Sequence, residues 1–319
     1  MPRRRIDTNP LPGIVTKMGI HMSPAPEAYT RITVSVPDEP SLAPLVGAMT
    51  DLMRRRVFTN PPQLCDRLTM ILEAAPTDPS VITALGPYAA LDRHIPDDLV
   101  AAVSAQLALP AWRAAFALYG PPEAQAGLLA AVQRRFREVE GAEITSETFT
   151  APEGEFLRGA DVTPDFLPQN GVPGIDRVRP FSAAADGLWH NCYSPVVPPS
   201  GRELYEWFLG ARKITAEHDL NFIADFHVFE RYVISINIVM FRGTVRDRLE
   251  KLQLALMEHS KSLGYLEYRT HVSFMDATAR NQSFNGGAFG RFTTRLKDAI
   301  DPNGVLSPGK QGVWNSGRE

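Results

Sequence analysis

Apolar and polar residues alternate over residues 31–36 (RITVSV), which predicts a β-strand, and the run at 42–55 that follows has helical spacing. Residues 112–119 repeat that order. The strand there closes on Gly120, Pro121 and Pro122, and prolines suit the first turn of a helix. That helix lines up Leu128, Val132, Phe136 and Val139 on one face. Ser200 and Glu203 have capping-box spacing ahead of a helix carrying Leu204, Phe208 and Ala211. Thr244 and Asp247 form a weaker version ahead of Val245, Leu249, Leu252, Leu256 and Leu263. Between those helices, residues 221–228 and 232–241 alternate, the longer run placing Tyr232, Ile234, Ile236, Ile238 and Met240 on one face. The short join at Phe229, Glu230 and Arg231 predicts a hairpin. Gly286 and Gly287 form a loop pair before a last helix at 289–300. The expected class is α+β, a large antiparallel sheet flanked by helices packed on one side.

Composition narrows the partners. A chain of 319 residues with 44% hydrophobic and 22% charged content can bury the core of one large or two ordinary domains, which argues against disorder. The net charge is -3 and the 33 Lys and Arg are scattered, so no basic stripe points to nucleic acid. The basic start, Met1 to Arg5, is followed by Asp7, Asn9, Pro10 and Pro12 rather than by an apolar run, and no stretch approaches the roughly 20 apolar residues of a membrane span. The expectation is a cytoplasmic protein without a membrane partner. Cys65 and Cys192 are too few for a disulfide framework and lack metal-ligand spacing, so both are expected to be small buried residues. No GxGxxG follows a strand and no Walker motif is present, which excludes a Rossmann reading.

The chemistry-bearing residues concentrate near the end. GYLEYRTHVSFMD at 264–276 and DPNGVLSPGKQGVW at 301–314 are long motifs, joined by GIVTKMG at 13–19, HNCYSP at 190–195 and LNFI at 220–223. Together they resemble the vanillyl-alcohol oxidase and 4-cresol dehydrogenase (eugenol oxidase-like) family of flavoproteins. The resemblance runs along the whole chain. It implies that residues 1–28 leave, and residues 265–319 complete, an FAD-binding domain, while 29–264 form a substrate-binding cap. In that family a further N-terminal region of about two hundred residues, one domain's worth, grips the adenine and pyrophosphate. This sequence contains no such region, so the isolated chain is expected to hold free FAD poorly.

Alone, His190 reads as a hydrogen-bonded structural histidine, Tyr268 and Arg269 as a surface strand edge, and Asp225 as an edge carboxylate or a partner of Arg231. The resemblance gives them roles. His190 matches the histidine linked covalently to the flavin 8α carbon, suitable chemistry for a neutral imidazole nucleophile. Tyr268 and Arg269 would bind the phenolic oxygen and stabilise phenolate. Neighbours in a regular strand face opposite sides, so both reach one ligand only if the backbone bends there or Arg269 uses its length. Asp225 would steer water or act as a base. His271 and Lys310 match positions beside the flavin, where positive charge stabilises its reduced form. Lys310 follows Pro308 and Gly309, a turn that could equally leave it in solvent, and Trp314 reads as core.

The implied activity is FAD-dependent oxidation of a para-substituted phenol by hydride transfer through a quinone methide. Oxygen or an electron-acceptor protein would reoxidise the flavin, and the family suggests homo-oligomers. Two rivals stay open. One is a catalytically incomplete fragment, or a cap-type subunit that needs a partner chain. The other keeps the flavin but acts on a hydroxy acid or an alcohol.

Overall fold

The alternation seen at residues 31–36 is part of β1 (Ala28–Val36), which buries Ile32, Val34 and Val36 on one side and leaves Arg31, Thr33 and Ser35 half-buried on the other. The computed structural model describes residues 16–162, 188–242 and 245–317. After β1 come α1 (Leu42–Arg54), β2 (Gln63–Asp66), α2 (Arg67–Ala74), α3 (Pro79–Leu85) and α4 (Asp97–Gln106). Asp66 caps α2 by accepting the Thr69 N–H at 2.9 Å, and Asp78 caps α3 through Ser80 at 2.9 Å. β3 (Trp112–Gly120), α5 (Pro122–Phe136) and β4 (Glu143–Thr150) follow, with Pro122 opening α5 as expected. Beyond them lie β5 (Leu188–Tyr193), β6 (Pro195–Val197), α6 (Gly201–Glu217), β7 (Asp225–Val228), β8 (Val233–Ser235) and β9 (Asn237–Arg242). The chain ends in α7 (Arg246–Ser262), β10 (Leu266–Glu267), α8 (Met275–Asn281) and α9 (Phe284–Ile300).

Eight strands form one antiparallel sheet in the order β10-β6-β8-β7-β2-β3-β1-β4, and β5 pairs with β9 apart from it. This is the expected α+β architecture. Ile32, Leu64, Trp112, Phe116 and Phe226 share one core with Leu45 and Met49 of α1, Val132 and Phe136 of α5, and Trp207 and Phe208 of α6. Aromatic rings tie sheet to helix: Trp112 meets Phe208 edge-on at 5.1 Å and stacks on Phe226 at 5.8 Å. A second core joins α2, α3 and α4 to Ile223, Ile238 and Met240.

The run at 232–241 is not one strand. It breaks at Ile236, where the Ser235 hydroxyl donates to Asn237 Oδ1 at 2.6 Å and the Ile236 N–H turns to Asp225 O at 2.7 Å. That local side-chain bond competes with the ladder, and β8 and β9 enter different sheets. Likewise only residues 225–228 of the shorter run are strand, with Ile223 bridging to Ile238. The hairpin between β7 and β8 does form, closed by Phe229 N–H to Tyr232 O at 2.8 Å and by their rings stacked at 4.8 Å. Ser200 caps α6 through the Glu203 N–H at 3.5 Å, but the box is one-sided, since Ser200 N–H goes to Pro198 O and Glu203 accepts from Tyr265. The Thr244 cap lies outside the described residues. Leu263 is 42% exposed because α7 ends before it. Asn285, Gly286 and Gly287, at φ +49°, +62° and +77°, form a left-handed kink near the start of α9, where a loop was expected before the last helix. Cys65 is buried, whereas Cys192 is only half-buried. Among the described residues no helix is long and apolar enough to cross a membrane.

Helix α6 sits hard against α1 at its first residue. A Cβ on Gly201 would lie 1.9 Å from the Ala43 carbonyl oxygen, a backbone atom with no rotamer to yield. Gly201→Ala is therefore expected to destabilise the fold by about 1–3 kcal/mol through overpacking. Urea denaturation measures it, and an unchanged midpoint would contradict this helix contact.

Candidate active site

One side of strand β5 is anchored to α7. Asn191 Nδ2 donates to Gln253 Oε1 at 2.8 Å, and the Tyr193 hydroxyl bonds Leu256 O at 3.0 Å and Ser260 Oγ at 2.8 Å, all on α7. The intervening residues must face the other way. These are His190, which is exposed, and Cys192, half-buried against the second core. A rigid strand thus presents an accessible imidazole beside a shielded thiol.

Tyr268 and Arg269 lie in a bend immediately after β10, not in a strand. The geometric obstacle to their acting together is thereby removed. The guanidinium carbon of Arg269 stands 5.8 Å from the centre of the Tyr268 ring, within cation–π range, with Tyr268 half-buried and Arg269 exposed. The bend is held from below. Tyr268 N–H donates to Ser194 O at 3.1 Å, while the buried Glu267 accepts from Ser194 N–H and from the Thr278 hydroxyl, each at 3.4 Å. Burial pushes the Glu267 carboxyl up to about 7, against those hydrogen bonds and the charge of Arg269.

Asp225 opens β7, an interior strand, so the edge-position alternative does not hold. Nor does Arg231 serve as its anchor: Arg231 is exposed in the hairpin turn, and Asp225 is held by Gln63 Nε2 at 3.0 and 2.9 Å from its two oxygens. His227 Nε2 lies 3.4 Å from the same carboxylate. The separate elements converge at Cys192. Burial raises its thiol, the positive charge of Arg269 opposes that, and the charges of Asp225 and Glu267 add to it. Arg269, Asp225, Glu267 and Cys192 therefore occupy one electrostatic neighbourhood, with His190 two positions along the same strand face.

His271 and Lys310 belong to the lobe built on α8. His271 accepts the Ser273 N–H on Nδ1 at 3.2 Å and is exposed. Lys310 opens the 3-10 turn Lys310–Gly312, whose Gln311 N–H reaches Met275 Sδ at 3.3 Å, and it is half-buried rather than fully solvated. Trp314 is half-buried too: its Nε1 donates to Asp276 Oδ1 at 2.7 Å and its ring fills the space beside Gly309, at φ +72°. Sequence reading missed Gln63, Cys192 and Glu267 as members of the site. Glu267 was signalled by a carboxylate inside the EYRTH motif, but nothing in the sequence marked Gln63.

This fold is that of the FAD-linked oxidases of the vanillyl-alcohol oxidase and p-cresol methylhydroxylase type. It matches 4-ethylphenol oxidase from Gulosibacter chungangensis with a TM-score of 0.76 at 22% identity, over 92% of this chain and 55% of that one. It matches p-cresol methylhydroxylase with a TM-score of 0.72 at 20% identity, over 91% and 53%. An alkyldihydroxyacetonephosphate synthase follows at 0.54 and 13% identity, over 89% and 45%. In sequence the chain is a homologue of the 4-cresol dehydrogenase [hydroxylating] flavoprotein subunit of Pseudomonas putida, 24% identical over 306 residues, 94% of this chain and 55% of that protein. The chain thus spans about half the length of the relatives it matches. No protein-family model matches it.

The raised carboxyl of Glu267 has a signed consequence. Its folded value of about 7 exceeds the ordinary 4.5, so its contribution is complete below pH 4.5 and is lost as pH rises towards 7. The loss is on the order of 3 kcal/mol at most. Urea denaturation at pH 5 and pH 8 should show Glu267→Gln with a flatter pH dependence than the parent. Parallel curves would remove Glu267 as the titrating group.

Proposed function

We propose that this chain carries the substrate-binding cap, and the closing part of the FAD-binding unit, of an enzyme that oxidises para-substituted phenols of the 4-alkylphenol or 4-hydroxybenzyl alcohol type. Residues 29–264 would be the cap, and residues up to 28 and from 265 the flavin-binding part. The observation that carries this reading is the bend at Tyr268 and Arg269, which gathers a phenol hydroxyl and a permanent cation, that cation and Asp225 both acting on the Cys192 thiol. The relatives' names, 4-cresol dehydrogenase and 4-ethylphenol oxidase, point to the same substrate class.

The residues present suit FAD. His190, exposed on a strand braced by α7, is free to reach a flavin methyl group, and His271 and Lys310 offer donors and charge from the α8 lobe. When bound, the flavin accepts a hydride. Tyr268 and Arg269 hold the phenolic oxygen as phenolate, whose electron pair moves into the ring as hydride leaves the para side chain, giving a quinone methide. Asp225 then takes the proton of a water adding to the exposed carbon, or the proton whose loss makes an alkene. Oxygen or an acceptor protein would remove the electrons.

In the flavin-loaded protein, Tyr268→Phe is expected to cut kcat/KM for 4-ethylphenol by about 10²–10³, the cost of one donor to a developing oxyanion. Flavin content should not change. Undiminished turnover would sink the phenolate role.

One feature favours a second reading, a chain that works only against a further flavin-binding region. In helix α9, Lys297, 1% exposed and paired with Asp301 at 2.7 Å, and Thr293 are buried, while Phe289 and Phe292 are 53% and 63% exposed. Met18, Ile20 and Met22 are exposed as well. On its own the chain is expected to leave a gel-filtration column without FAD. A yellow protein whose flavin survives acid precipitation would overturn that.

A further inference from the structure

We propose that Gln253 and Ser260 of α7 are positioning residues for His190, an inference that rests on the flavin-reaching role given to His190 above. From Ser194 back towards its start, β5 leaves the eight-stranded sheet and pairs with β9. Two strands by themselves are marginal in water, so their ladder alone does not fix the place of a side chain. Helix α7 supplies the rest. Asn191 Nδ2 donates to Gln253 Oε1 at 2.8 Å, and the Tyr193 hydroxyl meets Ser260 Oγ at 2.8 Å. Ser260 takes a further bond from Trp207 Nε1 at 3.0 Å, which ties the pair to α6. Asn191, Tyr193, Gln253 and Ser260 are all buried.

Spacing makes this grip specific. Gln253 and Ser260 are two helical turns apart, so they share a face of α7 and stand about 10.5 Å apart along its axis. Asn191 and Tyr193 advance only about 7 Å along β5. The longer side chain of Tyr193 makes up the difference, and an asparagine in its place would fall short of Ser260. Buried hydrogen bonds are directional and fix registry, whereas a strand can slide over a purely apolar contact. His190 precedes Asn191 and points to the opposite side of the strand, exposed, so the grip on Asn191 sets where its imidazole stands. Reaction requires an approach of about 3–3.5 Å, and a displacement of about 1 Å can cost about 10²-fold in rate.

The test uses Gln253→Leu and Tyr193→Phe, which remove one bond each at nearly constant volume, and the double variant, which removes both. In this chain, the amides of residues 189–193 should exchange with solvent at least about tenfold faster in the double variant, with β1 and β3 unchanged. The second readout is attachment of the flavin in the protein loaded with FAD. Attachment joins an imidazole nitrogen to the flavin 8α carbon, releases one proton from each, and passes two electrons through the flavin to oxygen, which leaves as hydrogen peroxide. The rate at which flavin becomes stable to acid precipitation should fall about 10²-fold in the double variant at equal FAD content, a change that a merely structural contact would not cause. Unchanged exchange in β5, or attachment at the parental rate, overturns the proposal. If exchange quickens but His190→Ala attaches no less flavin than the parent, the hold of α7 on β5 stands and the flavin-reaching role of His190 fails.

Discussion

The packing of Trp112 against Phe208 and Phe226 decides which side of every strand is available for chemistry. These rings lock β3 and β7 to α6, and side chains alternate with period two, so each neighbour in sequence is committed to the opposite face. Trp112 inward means Arg113 outward, and Phe226 inward means Asp225 and His227 outward. Register carries the pattern across the sheet: Leu64 joins the core beside Ala114 and Phe226, leaving Gln63 and Cys65 with His227 and Asp225. A slip of one residue would bury Asp225 among the aromatics and expose Phe226, so the hydrophobic core also sets the geometry of the site.

The open face alone could not bring Tyr268 and Arg269 together, because strand geometry separates neighbours. The solution is to end β10 after two residues and hold the bend through a buried carboxyl. Glu267 pairs with Pro195 across the ladder, so it turns under the strand that Ser194 precedes, and its two oxygens reach a backbone N–H and the α8 hydroxyl of Thr278. The cost is a carboxyl removed from water, visible in its upward shift. A local polar bond likewise ends the ladder at Ser235 and Asn237 and sends β9 to pair with β5. In both places a polar side chain overrides an apolar pattern.

That explains what could be read from the sequence and what could not. Alternation and caps made β1, α1, β3, α5 and α6 legible, because those elements present a clean apolar stripe to one core. The run at 232–241 misled because apolar residues continue unbroken through Ile236 while the backbone changes partners, and hydrophobicity records burial, not which sheet does the burying. β2 went unread: four residues, Gln63, Leu64, Cys65 and Asp66, are too few to show a period. Yet that strand lies at the centre of the sheet and supplies Gln63, whose amide donates to Asp225. Site residues were legible only through long motifs, so Tyr268 and Arg269 stood out and Gln63 did not.

The burial pattern of α9 shows how far the chain's own core accounts for its surface. A helix packed on a finished core turns its apolar stripe inward. Here the inward positions are Thr293 and Lys297, satisfied by local bonds: the Thr293 hydroxyl donates to Phe289 O and Gly290 O at 3.0 Å, and Lys297 reaches Asp301 and the Leu306 carbonyl. The buried charge is paired and hydrogen-bonded, which makes its burial tolerable. Phe289, Phe292 and Ile300 stay exposed, although an apolar core ordinarily claims such side chains. Local hydrogen bonds and one ion pair, rather than apolar contacts, therefore satisfy the buried positions of α9.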